Sequence, residues 1–324
     1  MILALRALGV GDLTTAVPAL RGLRAAYPLE PLALAAPAWL TPLIDLIGGV
    51  DRVVPTDGLT PRRWDLPPPR LAVNLHGRGP ESHRLLCTAA PGELWAFANA
   101  DHPGGPAWIE EEHEVHRWCR LLRHYGVGAD ETDLSIAVPG VTVPRGVTII
   151  HPGAKSPSRR WPADRFAAVA RRLRSAGHRV LITGSAAEDD LRVRVARRAG
   201  LDPSAAPATD LADLAALVAH ARLVISGDTG IAHLATAYRT PSVILFGPMS
   251  PARWGPPGRP YHRAIWHGAR SEPGDHPGPD AHPALLAISE QEVLAAADQV
   301  TAAAGITRPG PGSSCAAATE GDDP

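Results

Sequence analysis

Lysine is almost missing from this sequence: of its 32 basic residues only Lys155 is a lysine, and the others are arginines. Arginine therefore has to serve wherever a lysine would be the commoner choice. Cysteine is scarce too. Cys87, Cys119 and Cys315 are odd in number and far apart, which excludes a disulfide framework and a zinc ribbon and fits a reducing cytoplasm. Apolar runs are short. None approaches the ~18 residues of a membrane-spanning helix. The N-terminal MILALRALGVGDL is not read as a secretion signal, because no basic region precedes it and Arg6 and Asp12 interrupt it. Excess positive charge is also lacking: the formal net charge is -1, so nucleic acid is not the expected partner.

What the chain does have is ordinary globular composition, 45% hydrophobic and 20% charged, punctuated by 34 prolines and 31 glycines. Its 324 residues are enough for about two domains, each with its own core. Residues 2–8 predict a strand, Gly9-Val-Gly11 a tight loop, and 13–27 a helix interrupted by Pro18. Further strands are expected at 32–36, 51–55 and 71–75, with a helix over 111–125. The segment 138–146 has the proline and glycine density of a linker. Beyond it the alternation restarts with strands at 147–150, 179–183, 222–226 and 242–246 and helices between them. Strands alternating with helices predict parallel sheets. The division is thus 1–140, 147–304 with a Rossmann-like pattern, and a tail 307–324 expected to be disordered. Asp210 and Ser289 are placed to cap helices, Ser289 with the form of a capping box.

Three loops carry candidate chemistry. Ser226-Gly-Asp-Thr-Gly-Ile-Ala-His233 joins an apolar strand to a helix, where free backbone N–H groups and the helix dipole hold phosphate. Gly227 and Gly230 admit close backbone approach, Thr229 offers a hydroxyl, and His233 lies one turn along. Singly, Asp228 would cap the helix and His233 would be a core histidine; at this spacing they read as a diphosphate loop. The second loop, His151 to Pro162, gathers Lys155, Arg159 and Arg160, cations that can neutralise a leaving diphosphate without a metal. Thr183-Gly184 ends the next strand and is a weaker phosphate or ribose candidate. The third, Gly9-Val-Gly11-Asp12, fails as a dinucleotide fingerprint because Thr14 replaces the third glycine. An aspartate at a strand end facing a cleft is instead placed to be a general base.

Taken together, these residues resemble glycosyltransferase family 9, the ADP-heptose:lipopolysaccharide heptosyltransferases. The resemblance rests on Gly11-Asp12 with Pro18-Ala-Leu20, on His151-Pro-Gly-Ala154 to Arg160-Trp-Pro162, and on Asp228-Thr-Gly-x-x-His233 followed by Phe246-Gly-Pro248 and Trp254-Gly-Pro256. It implies an α/β fold of GT-B architecture, two Rossmann-like domains facing a cleft, the acceptor held mainly by the first and the nucleotide-sugar by the second. It implies an inverting transfer of a heptosyl or related hexosyl group from an ADP-activated sugar, with Asp12 as general base and no metal or other cofactor. Gly11, Lys155, Arg159, Thr183, Gly184, Asp228, Thr229, Gly230 and His233 are the expected donor-binding residues. Arg159 stands where the family often has lysine, which keeps the charge and changes its shape. The expected acceptor is a glycan or glycolipid; the arginines at 62, 63, 78 and 84 read equally as groups that would meet an anionic acceptor and as a solvated surface. The expected location is the cytoplasm, with peripheral contact at the inner membrane face. The competing readings are a nucleotide-sugar-binding protein without catalysis and, more remotely, a nicotinamide-dependent dehydrogenase.

Overall fold

The computed structural model describes residues 1–269 and 280–306; the tail at 307–324, with Cys315, lies outside them. Two five-stranded sheets organise the chain, and every strand pairing in them is parallel. The first contains β1 (Ile2–Leu5), β2 (Leu32–Ala36), β3 (Arg52–Pro55), β4 (Leu71–Asn74) and β5 (Glu93–Trp95), in the order β3-β2-β1-β4-β5. The second contains β6 (Thr148–His151), β7 (Val180–Ile182), β8 (Leu223–Gly227), β9 (Ser242–Phe246) and β10 (His262–Trp266), in the order β10-β9-β8-β6-β7.

Helices make the crossovers that parallel strands require. In the first half these are α1 (Val10–Thr15), α2 (Val17–Ala26), α3 (Thr41–Ile47), α4 (Glu81–Cys87) and α5 (Glu114–His124). In the second they are α6 (Ala163–Ser175), α7 (Asp189–Arg198), α8 (Leu211–Ala219), α9 (Gly230–Ala237), α10 (Pro251–Trp254), α11 (Pro283–Ala287) and α12 (Glu290–Ala303). The α/β fold expected from the alternation is thus the observed one. Residues 138–146 form neither helix nor strand.

Both faces of each sheet are covered, which is why the strands read as continuous apolar runs. Leu3 and Leu5 point to one face of the first sheet while Ile2 and Ala4 point to the other, the period-two alternation of a strand. Each half keeps an apolar cluster of its own, that of the first including Leu3, Leu5, Ala33 and Leu86, and a further cluster is shared between the halves. One apolar cluster takes in Ile2, Leu20, Leu34 and Val73 of the first half together with Ile149, Val224, Ile231 and Leu234 of the second. The outer face of the second sheet has its own cluster, including Phe166, Val195, Ile225 and Val300. Helix α12 packs there, on α6 and β9.

Local departures from the sequence reading bear on the site. Strand β1 ends at Leu5 rather than Leu8, and α1 begins at Val10, so Gly11 and Asp12 lie in the first turn of a helix and not in a loop. The helix expected over 13–27 is two helices broken at Ala16. Pro18 sits in the first turn of the second, where its missing N–H costs nothing. Asp210 and Ser289 accept the backbone N–H groups of Asp213 and Glu292, the capping read from sequence.

Candidate active site

In each sheet the chain reverses direction across the strand order beside its central strands, between β1 and β4 in the first and between β6 and β8 in the second. Such switch points open crevices at the carboxyl ends of the strands, where α/β proteins bind ligands. The three loops singled out in the sequence follow β1, β6 and β8, so the fold delivers all of them to these two crevices.

Helices α1 and α9, which leave β1 and β8, meet at their N-terminal turns. A methyl group on Gly11 would stand 2.7 Å from Cδ2 of His233, and one on Gly230 would stand 2.8 Å from Cβ of Val10. Only glycine at both positions allows this approach. It joins the Asp12-bearing turn to the 226–233 loop. The His233 ring is half-buried, edge-on to Trp254 with centroids 5.8 Å apart. Burial pushes its pKa down to about 4, with Asp12 opposing and His113 and Arg6 assisting. Thr229 is the N-cap of α9 but makes no capping hydrogen bond, and its buried Oγ1 has no partner among the described residues. A buried hydroxyl without a partner is costly, and an oxygen acceptor bound at the start of α9 would satisfy it.

Asp12 is held from two sides. Its Oδ2 accepts the N–H of Gly9 at 3.2 Å, and Oδ1 lies 3.5 Å from the Arg6 guanidinium, while 28% of the side chain stays open to solvent. Arg6 is 1% exposed. It donates to the main-chain oxygens of Asp12 and Leu75 and to Thr15 Oγ1, stacks on Trp118 at 4.6 Å, and faces the buried carboxylate of Glu114 at 3.7 Å. Glu114 is also bound by the buried Arg117 at 2.9 Å. Burial draws Arg6 below the usual arginine range, against the pull of Asp12 and Glu114. A buried guanidinium with every direction engaged fixes the turn that carries Asp12.

On the second sheet, Arg159 lies 3.7 Å from the Asp228 carboxylate, linking the 151–162 loop to the 226–233 loop. Lys155 is exposed and makes no ion pair among the described residues. Thr183 is fully buried, and its hydroxyl is shared with His151 Nδ1 at 3.0 Å, so it braces β6 against β7. Gly184 has ordinary contacts with Glu188, and Gly153 lies under the Glu188 carboxylate, which also accepts from Ser185. Lys155, Arg159, Asp228, Thr229, Gly230 and His233 thus gather around the β6 and β8 ends with Gly11 and Asp12 opposite. Thr183 and Gly184 lie behind them at the end of β7, both buried.

Sequence reasoning missed Arg6, Glu114 and His113. Arg6 registered only as an interruption of an apolar run; a charge inside a strand pattern, six residues before an aspartate, was the available signal. His113 caps α5 and donates from Nε2 to the Gly255 oxygen at 3.0 Å, and Glu110 pairs with Arg253 at 3.4 Å, so both tie the first half to the second. A cavity of about 450 Å³ is lined by His113, Gly255 and His233. Among the described residues there is no group of three or more side chains able to hold a metal, and no helix long and apolar enough to cross a membrane. Cys87 and Cys119 are free thiols, Cys119 buried with its pKa pushed up to about 12.

Two parallel α/β halves meeting at facing helix starts define the GT-B class of glycosyltransferases. The fold matches Escherichia coli ADP-heptose lipopolysaccharide heptosyltransferase II with a TM-score of 0.73 and 22% identity, covering 94% of this chain and 99% of that one. It also matches an E. coli heptosyltransferase solved with ADP, at a TM-score of 0.68 and 17% identity over 91% and 98% of the two chains. In sequence, lipopolysaccharide heptosyltransferase 2 of Salmonella typhimurium is 25% identical over 290 residues, 75% of this chain and 81% of that protein. The pattern of glycosyltransferase family 9 (heptosyltransferase) spans residues 106–273, just over half of the chain. This protein belongs to glycosyltransferase family 9.

Proposed function

We propose that the chain is an inverting transferase that moves a heptosyl or closely related hexosyl group from an ADP-activated sugar to a hydroxyl of a glycan or glycolipid. The observation that carries this reading is the contact of α1 with α9, which sets an aspartate beside the N-terminus of a second helix, a place suited to phosphate. The ADP moiety is supported by the E. coli relative solved with that nucleotide. Heptose and a lipopolysaccharide acceptor are supported by the names of the relatives in sequence.

In the reaction, the acceptor hydroxyl gives its proton to the Asp12 carboxylate as its oxygen attacks the anomeric carbon. The bond from that carbon to the diphosphate oxygen breaks on the opposite face, and ADP leaves with the electron pair. Attack and departure on opposite faces invert the configuration. Charge growing on the diphosphate is met by the first N–H groups of α9, the Thr229 hydroxyl, an N–H of His233, and the cations Lys155 and Arg159. These groups do the neutralising, and no metal is assigned a step. Arg6 keeps the Asp12 turn from moving when the proton arrives. Such an enzyme works in the cytoplasm, with peripheral contact at the membrane when its acceptor is a glycolipid.

The test is a panel of ADP-, GDP- and UDP-sugars, read by thermal stabilisation and by release of nucleoside diphosphate in the presence of de-acylated, heptose-deficient lipopolysaccharide core. ADP-heptose should stabilise the protein most and be consumed. Preference for a UDP-sugar would sink the ADP assignment, and stabilisation without turnover on any acceptor would favour a binding protein. Product with retained anomeric configuration would defeat inversion.

A further inference from the structure

One titratable ring near Asp12 is used neither by the donor loops nor by the transfer chemistry above. His76 follows β4, at the carboxyl end of the strand that neighbours β1 across the switch point of the first sheet. Its main chain is fixed by Asn74, whose Oδ1 accepts the His76 N–H at 3.0 Å and whose amide donates to Gly77 and Ser82. Its ring is fixed as well. The backbone N–H of Ala7 donates to Nδ1 at 3.2 Å, which leaves the ring proton of the neutral form on Nε2.

That Nε2 has no hydrogen-bond partner among the described residues and is not sealed in the protein, because His76 is only half-buried. Arg6 and Asp12 are the charged groups nearest enough to bias the ring. Burial first and Arg6 second push its pKa down to about 4, against Asp12, so it is a neutral donor at physiological pH. A neutral ring, locked in one tautomer and offering a single N–H beside the carboxylate that takes the acceptor proton, has a narrow use. It can read an oxygen through that N–H.

We infer that His76 is an acceptor-positioning residue, whose Nε2–H donates to an oxygen of the acceptor sugar next to the hydroxyl deprotonated by Asp12. The inference rests on the reading of Asp12 as general base. The attacking oxygen needs its lone pair for the anomeric carbon, so the donor serves a neighbouring ring or hydroxyl oxygen. A sugar with an oxygen at that position is oriented for attack, and one without it is not.

The test compares His76→Leu, which removes the donor, with His76→Gln, which keeps an N–H near the Nε2 position. Two reactions of ADP-heptose are followed: transfer to de-acylated, heptose-deficient lipopolysaccharide core, and slow hydrolysis with water as acceptor. His76→Leu should raise KM for the core acceptor by roughly five- to tenfold, the size of one neutral hydrogen bond, and His76→Gln should recover most of the loss. KM for ADP-heptose and the hydrolysis rate should stay within about twofold for both, the margin of a site left intact. An unchanged acceptor KM in His76→Leu overturns the proposal, as does a hydrolysis rate that falls, or a donor KM that rises, in step with the loss of transfer. Failure of the underlying reading looks different: wild-type protein then releases no ADP in either reaction, or Asp12→Asn turns over normally.

Discussion

The imidazole of His233 lies against the α-carbon of Gly11, so close that a single methyl group there would come within 2.7 Å of the ring. Gly11 immediately precedes Asp12, and His233 is one turn into the helix that begins at Gly230. The candidate base and the candidate diphosphate loop are therefore parts of one contact.

Gly11→Ala tests that contact directly. The added methyl should push the ring aside, weakening ADP binding and destabilising the fold by about 1–3 kcal/mol, the usual range for overpacking. Urea denaturation and an ADP titration measure both effects. In the Gly11→Ala/His233→Ala pair the clash is gone, so the stability losses should be far from additive. Strict additivity would mean that the two residues do not press on one another.

Asp12→Asn should lower the transfer rate by roughly 10²–10⁴-fold, the range for loss of a general base, with ADP affinity nearly unchanged. Single-turnover transfer and calorimetric titration separate the two quantities. Normal turnover would remove Asp12 from the mechanism.

Arg6→Met removes a cation from beside two carboxylates, one of them buried. Glu114 keeps Arg117 but loses a second positive neighbour, and Asp12 loses its anchor. A stability loss on the order of 3–5 kcal/mol is expected, as for other broken buried pairs. Arg6→Met/Glu114→Gln should be no milder than Arg6→Met alone, because it also leaves the buried Arg117 without its carboxylate, which equilibrium unfolding will reveal.

The free His233 ring, with its pKa pushed down to about 4, is neutral at pH 7. A diphosphate beside it favours the protonated form and raises that value. Binding then takes up protons, so ADP affinity should increase as the pH falls from 8 toward 5.5, the interval lying above the free pKa. Since the phosphates titrate in the same range, the readout is the difference between wild type and His233→Gln. Identical pH profiles would show that His233 does not sense the nucleotide.

Much of this arrangement was legible in the sequence, and what was not has identifiable causes. The buried central strands and the loop from Ser226 to His233 declare themselves because an unbroken apolar run ends in glycine and begins a helix. The edge strands β5 and β10 do not. They are partly exposed, as in the alternation of His262–Trp266, and their pattern blurs into the surrounding loops. Leu8 looked like strand because it is apolar, but the strand stops at Leu5, where Arg6 turns inward to Leu75 and Glu114. Those partners are remote in sequence, and no local pattern announces them. Thr183 reads as a ligand residue because it ends a strand, and only the structure reveals that its hydroxyl also bonds His151 on the neighbouring strand.

The meeting of α1 and α9 would also serve as a fulcrum for any rotation of the halves. Val10 against Gly230 and Gly11 against His233 leave no slack, so a rotation of one half against the other would turn about this point. Parts far from it would swing widest. Asp12, almost on the axis, would keep its distance from the diphosphate loop throughout the stroke.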